Sequence, residues 1–146
     1  MKSCQVYAVR DLILSVCMGT TVAGFQVATQ PMLKNRVEEG AEAVGQSILQ
    51  AIEASQTGLP IPTDGKSILK PLLDLAGYTS WKKFAAEATM CSVLRLPNEL
   101  EIIAFAPDGK GNFVHGNTDT IKLHPSTSAS VLGEVVSSVL CGAYGN

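Results

Sequence analysis

Apolar runs alternate with breaks over the first thirty residues, and this pattern predicts β-strands. Gln5–Val9, Leu12–Met18 and Val22–Ala28 each have the length and apolar content of a strand. Gly19-Thr20-Thr21 predicts the turn between the second and third strands, and Gly24 predicts a bulge inside the third. The chain therefore begins with three short strands.

A helical period replaces the alternation from residue 41 onward. Ala41–Ser55 places its apolar side chains on one face and its polar ones on the other, which is typical of an amphipathic helix. Leu59-Pro60-Ile61-Pro62 cannot continue this helix, because proline lacks an amide donor and restricts the residue before it. These four residues predict a linker within the domain.

A second helix is predicted over Ser67–Ala76, with Thr63 or Asp64 as its N-cap and Gly77 after its end. Pro71 leaves two interpretations open. Either it kinks this helix, or the helix is only Pro71–Ala76 with proline in its first turn.

The remaining pattern predicts one more helix, four strands and a closing helix. Thr79 or Ser80 caps a helix whose inner face carries Trp81, Phe84, Ala85 and Ala88. Predicted strands follow at Cys91–Leu96, Glu99–Phe105, Phe113–His115 and Thr120–His124, the first two joined by a turn at Pro97-Asn98. Leu132, Val135, Val136, Val139 and Leu140 form the apolar face of the last helix, which ends at Gly142.

This order of elements predicts an α+β fold: an antiparallel sheet of about four to six strands with helices packed on it. The length of 146 residues fits one domain, 1–146, with a single core. Gly45 and Gly133 occupy equivalent places near the starts of two apolar-faced helices. A glycine there would let each helix lie close to the sheet.

Composition and charge narrow the classes of partner. The net charge of −2 does not favour phosphate backbones, so we expect no direct contact with nucleic acid. Leu12–Met18 is too short to span a bilayer and Arg10 and Asp11 precede it, so we expect no signal peptide, no membrane segment and a cytoplasmic location. The 46% of hydrophobic residues indicates a well-filled core or a face covered by a partner.

The cysteines and histidines give weak candidates for chemistry. Cys4, Cys17, Cys91 and Cys141 form no Cys-x-x-Cys pair, so we expect free, buried thiols and no metal site. His115 and His124 would have to meet Cys91 or Cys141 in space to support thiol chemistry. Gly109-Lys110-Gly111 is not a phosphate loop, because a strand rather than a helix follows it. We expect no cofactor and no small-molecule ligand.

Four acidic residues gather in and around the predicted hairpin: Glu99, Glu101, Asp108 and Asp119. Glu99 and Glu101 share one face of their strand because side chains alternate with period two. Three interpretations remain open: a solvated strand face, a surface that binds a basic protein, and an acid–base pair of the glycosidase type.

A further series of residues carries a family resemblance. It comprises Val44-Gly45, Leu75-Ala76-Gly77, Ser80-Trp81-Lys82-Lys83-Phe84, Val93, Ile102 to Ala106, Gly111-Asn112-Phe113 and Leu132-Gly133. Over residues 36–142 this series resembles the immunity proteins of bacterial contact-dependent growth inhibition systems.

The resemblance implies a protein that is not an enzyme. It would bind the toxic C-terminal domain of a large secreted effector, commonly a nuclease, and block it by stoichiometric, non-covalent inhibition. Glu99, Glu101, Asp108 and Asp119 would then form the acidic surface that meets the toxin. Two alternatives stay open: a small cytosolic enzyme with a Cys–His or a two-carboxylate site, and a structural subunit or interaction domain without antitoxic effect.

Overall fold

A computed structural model describes residues 1–115 and 120–142 of the chain. Its elements are β1 (Lys2–Val9), β2 (Leu12–Thr20), β3 (Gln26–Arg36), a 3-10 turn (Val37–Glu39), α1 (Ala41–Glu53), α2 (Gly65–Ala76), α3 (Trp81–Glu87), β4 (Thr89–Leu96), β5 (Glu99–Pro107), β6 (Phe113–His115), β7 (Ile121–Leu123) and α4 (Ala129–Gly142). The strands form one antiparallel sheet in the order β3-β2-β1-β4-β5-β6, and β7 also pairs with β5. The predicted α+β class and antiparallel sheet are confirmed, and the short β7 brings the number of strands in the described part of the chain to seven.

The sheet carries helices on both faces. On one face, which we call the α1/α4 face, Cys4 and Val6 of β1 pack into a core with Ile48 of α1 and Leu132 of α4. On the other, the α2/α3 face, Tyr7 packs among side chains of α2 and α3. Period-two alternation along β1 sends neighbouring residues to opposite faces, so both faces of the central strands are buried.

Gly45 and Gly133 hold the two helices of the α1/α4 face against each other. A methyl group on Gly45 would lie under 3.0 Å from three backbone atoms of Ala129 in α4, and one on Gly133 would meet the carbonyl group of Ala41 in α1. The expectation that these glycines fit the helices onto the sheet is therefore wrong: each permits a close helix–helix approach. The two helices pack in the same way, because each has a glycine at the point where the first turn of the other helix crosses it.

The third strand differs from its prediction. Val22–Ala28 is not a strand throughout, because residues 22–25 form the turn and β3 runs from Gln26 to Arg36. Gly19 and Thr20 belong to β2 rather than to a turn, and the bulge lies between Val16 and Met18 instead of at Gly24. Polar residues and Pro31 concealed the second half of β3, which tolerates a proline because it is an edge strand.

Helix α2 is the longer of the two predicted versions. It begins after Asp64, whose side chain accepts a hydrogen bond from the Lys66 amide, and it contains Pro71 in its interior. Gly77 ends it with a φ of 79°, the left-handed conformation that glycine adopts without strain. Ser80 caps α3 by accepting a hydrogen bond from the Lys83 amide.

Candidate functional site

Part of the α2/α3 face of the sheet lies open beside the helices. Strand register aligns Tyr7 with Met90, and Met90 with Phe105, under the helices, whereas the neighbouring row runs from Gln5 through Ser92 to Ile103. This second row borders a pocket of about 230 Å³, which we call the sheet pocket. Its walls are Ser3, Gln5, Met18, Gln26, Ser92, Leu94, Ile103 and Phe105.

The floor of the sheet pocket offers hydrogen-bond donors between apolar walls. The Tyr7 hydroxyl donates to Gln5 Oε1 at 2.8 Å, and the Ser3 hydroxyl donates to Gln26 Oε1 at 3.3 Å. Burial raises the pKa of Tyr7, which keeps its hydroxyl protonated as a donor. Both glutamine oxygens accept these bonds, and within the described residues their NH₂ groups make no hydrogen bond and can donate to a partner. Half-buried Leu94 and Ile103 supply apolar contact beside them.

Glu99 and Glu101 lie next to this pocket. Both side chains are on the α2/α3 face, because Glu101 pairs with Leu94 and Glu99 with Leu96. Lys122 of β7 stands opposite Glu101 and makes an ion pair of 3.9 Å with Glu99. Within residues 1–115 and 120–142, Glu101 has no cation within ion-pair distance. Its carboxylate is therefore available to a basic partner.

Asp108 is separated from this acidic pair. It follows the far end of β5, nine residues after Glu99, which corresponds to roughly 30 Å of extended strand. Its carboxylate accepts hydrogen bonds from the amides of Lys110 and Asn112, and these bonds hold its pKa below the usual range. Asp119 lies outside the described residues. The structure thus brings together two of the four predicted toxin-binding residues, and their role in binding stays a prediction.

Cys91 and His115 do not form a catalytic pair. Cys91 is fully buried on the α1/α4 face, whereas His115 stacks against Phe105 on the opposite face of the sheet. Burial raises the pKa of Cys91 to about 12, so its thiol stays protonated and unreactive. Cys4 and Cys17 are buried and free as expected, but Cys141 is exposed on α4. Its exposure follows from its place outside the apolar face of that helix.

Two further findings concern the described part of the chain. No group of three or more His, Cys, Asp or Glu residues there is arranged to hold a metal ion. None of its helices has both the length and the apolar character needed to cross a membrane.

The pocket residues Ser3, Gln5 and Ser92 escaped the sequence analysis. A signal for two of them exists, since the polar residues Ser3 and Gln5 recur with period two on β1, whereas Ser92 stands between the apolar Met90 and Leu94 on its face of β4. Such a pattern indicates a strand face that is not fully covered. It becomes informative only when the register places the polar positions of both strands side by side.

Sequence comparison finds no family model and no curated protein that matches this chain. Comparison of folds does find similar structures. A protein of unknown function from Neisseria meningitidis has a TM-score of 0.76 at 13% identity, covering 95% of this chain and 93% of the other. A chain of the "CdiA-CT/CdiI toxin and immunity complex" from Yersinia pseudotuberculosis has a TM-score of 0.79 at 10% identity, covering 97% and 96%. This chain therefore shares its fold with both over nearly their whole length.

Proposed function

We propose that this protein is an immunity protein of a contact-dependent growth inhibition system. It binds the toxic C-terminal domain of a large effector, expected to be a nuclease, and blocks it by non-covalent, stoichiometric association. The observation that carries this proposal is the fold shared over 97% of the chain with one member of a toxin and immunity complex. The sequence resemblance over residues 36–142 points to the same family and to the immunity side of such a pair.

The open part of the α2/α3 face suits this role physically. A protein interface needs apolar anchors, polar groups that can pair, and complementary charge at its rim. The sheet pocket supplies half-buried Leu94 and Ile103 with two glutamine amides, and Glu101 supplies a carboxylate without an ion-pair partner in the described residues. We place the toxin contact here, with Glu99 and Glu101 facing the basic surface of the toxin.

Growth rescue tests the proposed function. A sensitive bacterium would express the effector domain encoded immediately upstream of this gene, with and without this protein. We expect growth arrest without the protein and normal growth with it. Persistent arrest while both proteins are soluble would reject the immunity function for that pair. Turnover of a substrate by the isolated protein would instead favour the enzyme alternative.

Charge at the hairpin should control the rate of association with the toxin domain. Replacing Glu99 and Glu101 together by glutamine removes two negative charges while keeping side-chain shape. We expect association to slow by roughly two- to ten-fold at low salt, and its salt dependence to flatten, because steering by exposed charge is screened by ions. Stopped-flow association at several salt concentrations measures both quantities.

Asp108→Asn and Asp119→Asn serve as separate arms of this experiment, because Asp108 lies at the other end of β5. Their effects show which end of the strand the toxin approaches. If the Glu99 and Glu101 substitutions leave the association rate unchanged at every salt concentration, the acidic-surface hypothesis is wrong.

A further inference from the structure

Three of the exposed large hydrophobic side chains in the described residues come from two segments that are bonded to each other. Val22 is 69% exposed and Phe25 47% exposed in the β2–β3 turn, and Ile61 is 51% exposed in the segment between α1 and α2. The Val22 amide donates to the Leu59 carbonyl at 2.9 Å, which brings the second segment alongside the first. We call Val22, Phe25 and Ile61 the apolar tip. Single exposed apolar residues are ordinary on a protein surface, whereas exposed apolar residues gathered in one place are typical of interaction sites.

Backbone hydrogen bonds hold the turn that carries Val22 and Phe25, and they hold the neighbouring segment at Leu59. Inside the turn, the Thr21 amide donates to the Phe25 carbonyl and the Gly24 amide donates to the Thr21 carbonyl. The Leu59 amide donates to the Thr20 carbonyl, and the Ser55 hydroxyl bonds to the Met18 carbonyl. Residues held in this way lose little conformational entropy when they bind, which favours their use as anchors.

The apolar tip lies at the same end of the sheet as the acidic pair. Ser3, near the start of β1, pairs with Met18 near the end of β2, and its neighbour Lys2 pairs with Arg95 near the end of β4. The turns after β2 and β4 therefore leave the sheet side by side. Phe25 directly precedes Gln26, which lines the sheet pocket, so the tip lies beside one end of the pocket, at the end of the sheet that also carries Glu101.

The distance between the apolar tip and the acidic pair indicates the kind of partner that could contact both. From β3 to β5 there are four strand spacings, or about 19 Å, between the tip and the acidic pair. A small ligand does not reach both ends, whereas a standard interface with a globular domain is roughly 30 Å across. Such a partner would offer an apolar pocket to Phe25 and a lysine or arginine to Glu101.

We propose that the apolar tip is the hydrophobic anchor of the toxin interface, with Phe25 seated in an apolar pocket of the toxin domain beside a basic surface. This inference rests on the proposed function and adds a residue set to it. The interface then has two contact points. Phe25 determines the dissociation rate of the complex, and Glu101 determines its association rate.

Binding of the purified upstream toxin domain to the full chain tests the proposal. Phe25→Ala should weaken binding about tenfold or more, mainly through faster dissociation, as expected for a truncated aromatic anchor. Glu101→Gln should mainly slow association. The double variant should show the product of the two effects, because sites about 19 Å apart act independently.

Val37→Ala and Val114→Ala are matched controls, since both side chains are about as exposed as Phe25 but lie elsewhere on the molecule. Both should bind within twofold of the unaltered protein. Unfolding curves of each variant show that any loss of binding is not a loss of folding.

The possible results separate the two proposals. Failure of the unaltered protein to bind the toxin domain rejects both. Tight binding that Phe25→Ala does not change rejects the anchor alone and leaves the proposed function in place. A dimer of this protein that Phe25→Ala converts to monomer, with toxin binding intact, also rejects the anchor, because the tip then serves a second copy of the chain.

Discussion

Replacing Gly45 by alanine is expected to lower the free energy of unfolding by about 3 kcal/mol, although alanine is the better helix former by about 1 kcal/mol. The added methyl group would lie under 3.0 Å from backbone atoms of Ala129. A backbone cannot rotate away as a side chain can, so α1 and α4 have to separate and loosen the core between them. Gly133→Ala should behave alike, because its methyl group meets the backbone of Ala41.

Urea unfolding measures this effect through the midpoint and slope of the transition. A loss of about 3 kcal/mol corresponds to a fall in Tm of roughly 6 to 12 °C for a chain of this size. Gly65→Ala is the matched control, since Gly65 is also helical but a methyl group there meets nothing within 4 Å. It should be neutral or slightly stabilising. Equal stability of Gly45→Ala and Gly65→Ala would contradict the close helix crossing.

Truncating Phe84 to alanine is expected to cost about 4 kcal/mol, within the usual range for a fully buried phenylalanine. Phe84 has no exposed surface, and its ring centroid lies 5.4 Å from those of Tyr7, Tyr78 and Trp81. Its loss leaves a cavity and also removes edge-to-face and tilted ring contacts. Because Phe84 lies on α3, the same change loosens the docking of that helix on the sheet.

Fluorescence of Trp81, the only tryptophan in the chain, reports this change during denaturant unfolding. The milder Phe84→Leu keeps the protein measurable if the alanine variant is unfolded, and it should cost about 1 to 2 kcal/mol. Phe25→Ala removes the same side chain from an exposed position and should change stability by no more than about 0.5 kcal/mol. Similar losses of stability in Phe84→Ala and Phe25→Ala would contradict the difference in burial between these two side chains.

The helices and the central hairpin were predictable because their signals are local. Ala41–Glu53 follows a 3.6-residue period, Asp64 and Ser80 are N-caps, and Gly77 supplies a left-handed helix end. Each signal operates within a few residues, where backbone geometry fixes which side chains meet. The hairpin across Pro97-Asn98 was found for the same reason.

The long edge strand and the role of the glycines were not predictable in this way. Residues 29–36 of β3 contain Pro31, Lys34 and Arg36, which hide the strand pattern. They form a strand because β2 offers an unpaired edge, a condition set elsewhere in the chain. Gly45 and Gly133 are 88 positions apart, and only the crossing of their helices shows which backbone each one approaches.

The same distinction applies to the candidate interface. The sequence alone determined that Glu99 and Glu101 share a strand face, since side-chain alternation is a property of one strand. Only the tertiary structure decided that Asp108 is remote from them, that Gln5 and Ser92 form a pocket beside them, and that Val22, Phe25 and Ile61 lie at the same end of the sheet. Neighbours along the chain are fixed by covalent geometry, whereas neighbours across a sheet depend on strand order and register, which arise when the whole core packs.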